Sequence, residues 1–443
     1  MASLPRVSSP LRQPHLPPPY AGASGLLRTA WFAVALLWPV AMLNYLDRQM
    51  LASMKASVML DVADVATDAN WGLMLGQFKW VYAFLSPLGG LVADRFGRRL
   101  TIACSLCAWS AVTWWTGSVT TFHELMWART LMGVSEAFYI PAALALIADL
   151  HVGATRSRAV ATHQTAIYVG MMAGGFGGYV ADAPDLGWRW AFHAAGLVGI
   201  AYTLPLVLGL RAAERRVASL GAGVAAADGA VPTDHAPRIG VLAGLRELVT
   251  NVPFLLLVAC FTLPALPAWV VRDWMPAILK QQFNIGQGVA GVSATLYTTI
   301  AMLFGAALGG WLADRWSRLT PSGRAYTSAI GIALLVPGLF GVGNAGTLGV
   351  AVVFLAVFGL GWGCFDTNNM PILCQLVRPE LRATGYGLMN LVSISCGGVA
   401  DWAFGAMRDR GVPLNVAFGA FAAFAVVAVG LMLVIGRGVA RRA

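Results

Sequence analysis

The chain reads as an all-α membrane protein of twelve transmembrane helices in two pseudo-symmetric six-helix bundles, and three observations predict this. Of its 443 residues, 58% are hydrophobic and 11% charged, whereas soluble domains run at roughly 45–50% and about 25%. Mean hydropathy is +0.68. Apolar runs long enough to cross a bilayer recur along the whole chain, and an eleven-residue motif at residues 89–99 returns in degenerate form near residue 309. So much apolar surface has no home in a water-soluble core. A soluble enzyme, a disulfide-rich secreted module and a disordered chain are excluded together.

A spanning helix needs about 20 mostly apolar residues. Twelve segments meet that need: 29–53, 71–93, 100–117, 124–148, 159–181, 190–210, 252–279, 288–312, 325–344, 348–376, 384–406 and 414–436. Residues 1–27 are proline-rich, with no apolar run, and read as a disordered cytosolic tail. The segment 212–250 reads as a cytosolic inter-bundle loop, with one bundle over 28–211, the other over 251–437, and a short tail at 438–443.

The net charge of +10 sorts by side: with the N-terminus placed inside, 21 of the 30 basic residues fall in inside segments and five in outside ones. That bias follows the positive-inside rule, so both termini are expected in the cytosol. The surplus charge is thus topological and no nucleic-acid partner is expected. The six cysteines all lie in apolar spans, and Cys104-x-x-Cys107 reads as packing, so no disulfide or metal site is expected.

Gly89-Gly90-Leu91-Val92-Ala93-Asp94-Arg95-Phe96-Gly97-Arg98-Arg99 recurs as Gly309-Gly310-Trp311-Leu312-Ala313-Asp314-Arg315-Trp316-Ser317-Arg318, at an offset of 220 residues. Such an echo marks two homologous halves in parallel orientation. The motif resembles the signature loop of the major facilitator superfamily, and span count, symmetry and topology extend the resemblance over the whole chain. The resemblance implies a latch that closes the inner side while the central site faces outward. In that latch Gly90 lets helices approach closely, and Asp94 faces a helix N-terminus of the other half, that of the eleventh span. Arg95, Arg98 and Arg99, with Asp314, Arg315 and Arg318 in the second copy, complete the cytosolic gate.

Ionisable groups inside spans are costly and point to function. The reading finds Arg48, Lys79, Arg129 and Arg272 with Asp47, Glu136, Asp273 and Asp366. Arg129 and Glu136 stand seven residues apart, about 700° of helical turn, and so share a face. Asn44-Tyr45-Leu46-Asp47-Arg48 and Arg129-x-x-x-Gly133-x-x-Glu136 resemble the anion:cation symporter branch of the superfamily. That resemblance implies proton sites at Asp47 and Glu136, and substrate or coupling roles for Arg48 and Arg129. Lys79 and Tyr82 can face the same cavity. Gln164, Tyr168, Asn368, Asn369 and Asn390 offer the donors and acceptors that a polyhydroxylated ligand needs, although such groups also bond helices to one another.

Arg48, Lys79 and Arg129 with Asp47 and Glu136 sum to +1, which one substrate carboxylate neutralises. The expectation is therefore proton-coupled symport of a small organic anion such as a sugar acid, by a monomer in a bacterial inner membrane. The proton gradient drives it, and no cofactor or enzymatic constellation is expected. The span-one and span-four motifs, followed by Ala137-Phe138-Tyr139, also resemble Spinster-like lipid carriers. A neutral-sugar carrier, a proton:drug antiporter and a non-transporting sensor are the remaining readings.

Overall fold

The computed structural model describes residues 21–151, 154–225 and 241–440. The long helices are α1 (Ala21–Ser53), α2 (Asp68–Leu85), α3 (Arg98–Thr116), α4 (Phe122–Glu136), α5 (Ala154–Gly175), α6 (Gly187–Ala225), α7 (Val252–Phe283), α8 (Gln287–Ser317), α9 (Gly323–Gly343), α10 (Leu348–Asp366), α11 (Arg382–Asp409) and α12 (Leu414–Ala440). Every element among the described residues is helical. Eight of them, α1, α6–α9, α12 and α4 and α10 with their continuations, are long and apolar enough to cross a membrane. Of the less apolar ones, α2, α5 and α11 pack at the interface between the halves, α2 along α11 and α5 against α8. Polar and charged residues lower their mean hydropathy, so a hydropathy window under-reads them.

Two breaks explain themselves from sequence. A proline removes an N–H and its ring strikes the carbonyl four residues back. α4 breaks at Ala137-Phe138, four and three residues before Pro141, and resumes as Tyr139–Leu150. α10 breaks at Thr367-Asn368, four and three residues before Pro371, and resumes as Asn369–Leu376. The two breaks occupy equivalent places in the halves. Packing repeats likewise: α1–α5, α2–α4 and α3–α6 in the first half match α7–α11, α8–α10 and α9–α12 in the second.

Helix extends beyond the expected spans at two places. α1 begins at Ala21, inside the stretch expected as tail, because no proline interrupts the chain from there until Pro39. α6 runs past residue 211 to Ala225 through Arg-Ala-Ala-Glu-Arg-Arg, all good helix formers but for context, and a further helix spans Val241–Thr250. Residues 1–20 of the expected tail, 226–240 of the expected inter-bundle loop and 441–443 lie outside the described residues.

Candidate functional site

Neighbouring residues on a helix point about 100° apart, and Asp47 and Arg48 of α1 use that divergence. Asp47 turns into the first half, where its Oδ2 accepts from Thr113 Oγ1 of α3 at 2.9 Å and its Oδ1 has no hydrogen-bond partner among the described residues. Arg48 turns the other way: Nε donates to Glu136 Oε2 of α4 at 2.7 Å, and Nη2 reaches the same carboxylate and Asn44 Oδ1. Its guanidinium lies over the rings of Tyr45, Phe78 and Tyr82, 4.9, 4.6 and 5.1 Å from their centroids. Arg129 covers Phe78 at 4.8 Å, and its Nε and Nη1 are buried without a hydrogen-bond partner among the described residues. Glu136 thus pairs across helices with Arg48, not with Arg129 on its own helix face. Helical spacing found the right residues and could not find this crossed pairing.

Lys79 does not stand free in the cavity. Its ammonium joins Asp273 of α7 and Asp401 of α11, both in the second half, and lies 4.4 Å from the Trp269 ring centroid. Asp401 was missed among the in-span acids, although it falls within the 384–406 apolar segment; its position near the segment's end hid it. With Arg272 and Asp273 also at the centre, four cations (Arg48, Lys79, Arg129, Arg272) face four acids (Asp47, Glu136, Asp273, Asp401). The +1 expected from five residues becomes a balanced set. Two cations nonetheless lack an ion pair among the described residues: Arg129, and Arg272, whose guanidinium lies 4.8 Å from the Trp269 centroid.

The central cavity has two chambers sharing Gln49, Met171 and Arg272. Gln49 Nε2 donates to the Arg272 carbonyl at 3.1 Å, a bond between the halves. Tyr45, Arg48, Phe78, Lys79 and Arg129 line the first chamber. The second is mostly apolar, with Met302, Phe358 and Trp362 beside Thr295, Thr298 and Thr299. Tyr82 is buried against Phe78, with ring centroids 6.0 Å apart. Gln164 is exposed and Tyr168 and Asn390 half-buried, and none of the three lines either chamber. Asn368 and Asn369 serve the α10 break. There the Asn368 backbone N–H bonds Phe365 O at 3.1 Å, its side-chain amide takes the Cys364 carbonyl at 3.0 Å, and Asn369 Nδ2 reaches Asp366 Oδ1 at 3.3 Å.

At the end carrying the Gly89–Arg99 loop, the charged residues pair within their own halves. Asp94, with a side chain 68% exposed, pairs with Arg98 (3.5 Å) and makes no hydrogen bond or ion pair with α11 among the described residues. Arg98 also bonds the Ala145 carbonyl at 3.3 Å and pairs with Asp149, while Arg99 pairs with Glu214. Arg95 lies 5.9 Å from the Phe96 ring centroid. In the second copy Asp314 bonds Arg324 at 2.6 Å, and Arg315 and Arg318 are exposed. The expected close approach at Gly90 is not made there: a Cβ on Gly90 would meet nothing within 4 Å, whereas one on Gly89 would meet Pro141 Cγ at 2.9 Å. Gly90 points away from the neighbouring helix and Gly89 toward it.

The opposite end is bonded across the halves. Asp409 of α11 accepts from the backbone N–H groups of Asp68 and Ala69, the first turn of α2, at 2.9 and 2.8 Å. Asp182 accepts from Gln287 Nε2 at 2.9 Å and from the Gly288 N–H at 3.1 Å, the first turn of α8. Each carboxylate satisfies orphan donors at the positive end of a helix dipole. Gln287 also bonds Ser57 by Nε2 to Oγ at 2.7 Å. Lys55 pairs with Asp68 there, and burial pushes its ammonium below the usual lysine range against the opposing pull of Asp68.

A helical bundle of this topology, with paired charges buried around a central cavity, defines a membrane carrier. The family model of the Major Facilitator Superfamily matches residues 37–401, and the chain belongs to that superfamily. It is an integral multi-pass membrane transporter, not an enzyme. Among relatives, the Protein spinster of Drosophila melanogaster is 27% identical over 84% of this chain and 61% of its own length. An MFS-type efflux pump of Mycolicibacterium smegmatis is 28% identical over 86% and 85%. The D-galactonate transporter of Escherichia coli is 25% identical over 65% and 67%. A solved structure of a bacterial homolog to human lysosomal transporter Spinster, in an inward-facing and unoccupied conformation, superposes with a TM-score of 0.74 at 19% identity, covering 92% of this chain and 97% of that one.

Proposed function

We propose that the chain moves an organic anion across the membrane together with protons, by alternating access of the central cavity. The observation that carries this reading is the free guanidinium pair. Arg129 and Arg272 reach the first chamber from opposite halves, neither held by a carboxylate, beside an Arg48 already held by Glu136. An anion seated there bridges the halves. Protonation of Glu136 cancels the charge that holds Arg48 and frees its guanidinium for the anion; loss of the proton restores the pair and expels the cargo. Asp47 acts on Arg129 in the same sense from behind. Positive-inside bias assigns the signature-loop end and both termini to the cytosol, in a twelve-span arrangement suited to a bacterial inner membrane. With the far end bonded across the halves and only within-half pairs at the loop end among the described residues, the arrangement is then read as an inward-facing state.

A sugar acid fits the first chamber, and the relationship to a D-galactonate transporter supports that cargo. The apolar second chamber supports a second reading, an amphiphilic anion whose head lies at the arginines and whose tail lies against Met302, Phe358 and Trp362. Lys79, neutralised by two acids, no longer argues against it, and the spinster relatives agree. The test is uptake by proteoliposomes under an inward proton gradient, with D-galactonate and a lysophospholipid as the two cargoes. Accumulation is expected for one of them in the wild type, and Glu136→Gln is expected to weaken its pH dependence. Gradient-independent flux in both proteins would refute proton coupling.

A further inference from the structure

One buried acid is not used by the anion site. Asp401 is 0% exposed; its Oδ2 holds Lys79, and the one further polar group beside it is the buried indole N–H of Trp274, which carries no charge. The charged groups facing it are Lys79 from α2 and Asp273 from α7, and the charge of Arg129 on α4 acts on Asp273 in turn. Of the other helices that meet α11, Val241–Thr250 and Asn369–Leu376 pack near Gly385 at its opposite end, and α12 meets it at Phe404 through Phe418 and Phe421, which bring no charge. One ammonium therefore serves two carboxylates, one of them fully buried, leaving a negative charge locally unmatched. An unmatched buried charge is costly and tends to be neutralised by a proton.

The helices bearing this cluster are also the ones that must part. α2 and α11 touch backbone to backbone: a Cβ on Gly72 would collide with the Asp401 carbonyl, and one on Gly76 would lie 2.8 Å from the Gly398 carbonyl. Opening the end of the molecule opposite the signature loop separates them. Lys79 belongs to the first half and both acids to the second, so opening withdraws the one cation from both carboxylates, of which Asp401 is fully buried.

We propose that Asp401, sharing its charge with Asp273, is a second proton site of the carrier, distinct from Asp47 and Glu136 and filled from the far side as Lys79 leaves. This rests on the transporter reading above. The step is a simple protonation: a carboxylate takes a proton from the aqueous phase when its ammonium partner departs. On re-closure the returning ammonium favours the carboxylate, and the proton leaves by way of Asp273, the one of the two acids that lines the first chamber. The sign follows: the far-open state binds the extra proton, so acidification favours opening.

The test is hydrogen–deuterium exchange of the full chain in lipid nanodiscs between pH 5 and pH 8, corrected for chemical exchange and read over residues 55–72 and 402–412. One linked proton changes the opening equilibrium by about tenfold per pH unit. The wild type is expected to exchange faster on acidification, and Asp401→Asn is expected to lose about tenfold per pH unit of that slope while opening more readily at all pH. Asp273→Asn, at the less buried acid, is expected to lower the slope in part and carries the test if the first variant does not fold. Wild-type slopes in these variants overturn the proposal. Proteoliposome flux is measured separately: absent flux with an altered exchange slope overturns the transporter reading and leaves the proton site standing.

Discussion

The two ends of this molecule spend their charges differently. At the signature-loop end, Asp94, Arg98, Arg99 and Asp314 find partners inside their own halves. At the far end, Asp409 and Asp182 reach across to helix N-termini of the other half, and at the centre Lys79 bridges to two acids. The two carboxylate latches are mates under the internal symmetry, since α2 corresponds to α8 and the acids close the fifth and eleventh spans. What differs is where the cross-half bonds are made. The repeated loop motif makes no ion pair between the halves among the described residues, and contacts without a motif hold the far end. Alternation then amounts to exchanging one set of inter-half bonds for the other.

This contrast can be broken at the closed end first. Gly72→Val places side chain against the Asp401 backbone, and overpacking of this kind costs about 1–3 kcal/mol. The closed far end is expected to lose population by about 5- to 150-fold, read as longer spin-label distances between residues 60 and 415. Unchanged distances would remove the α2–α11 contact from the mechanism. A smaller effect is expected from the latches. Asp409→Ala and Asp182→Ala each remove a carboxylate cap, worth about 1 kcal/mol, or about fivefold. The two sites are separate, so the double variant is expected to show the sum in the same distances. Strong non-additivity would mean that one latch depends on the other. Smallest of all are changes at the loop end. Asp94→Asn removes an exposed pair worth about 0–1 kcal/mol, and Gly90→Ala meets open space. Neither is expected to move the far-end distances or the melting temperature of this state, whereas Gly89→Ala is expected to lower that temperature.

Much of this was legible in the residues, for identifiable reasons. Apolar length marks eight of the expected spans, whereas the breaks before Pro141 and Pro371 fall inside 124–148 and 348–376, expected as continuous. Buried charges are conspicuous in apolar runs, so Asp47, Arg48, Lys79, Arg129, Glu136, Arg272 and Asp273 were visible without coordinates. Pairing was not, because helical periodicity relates residues on one helix and says nothing about which helix comes to lie opposite. Hence Glu136 was set beside Arg129, and Lys79 was left free. Asp401, Asp409 and Asp182 sit toward span ends, where an acid is ordinary and carries no signal of its own. The exchange of Gly90 for Gly89 is a matter of 100° about one helix, below what a motif alone resolves.

In the proposed mechanism one cavity couples an anion to a proton through the Arg48–Glu136 pair. The most direct measurement is proton uptake on ligand binding, in weakly buffered detergent solution near neutral pH, with whichever of D-galactonate and lysophospholipid binds. Saturable binding is expected to draw about one proton per anion from solution, to lose that proton in Glu136→Gln, and to be abolished in Arg129→Gln. Tight binding with no proton movement, or binding indifferent to Arg129, would contradict the account.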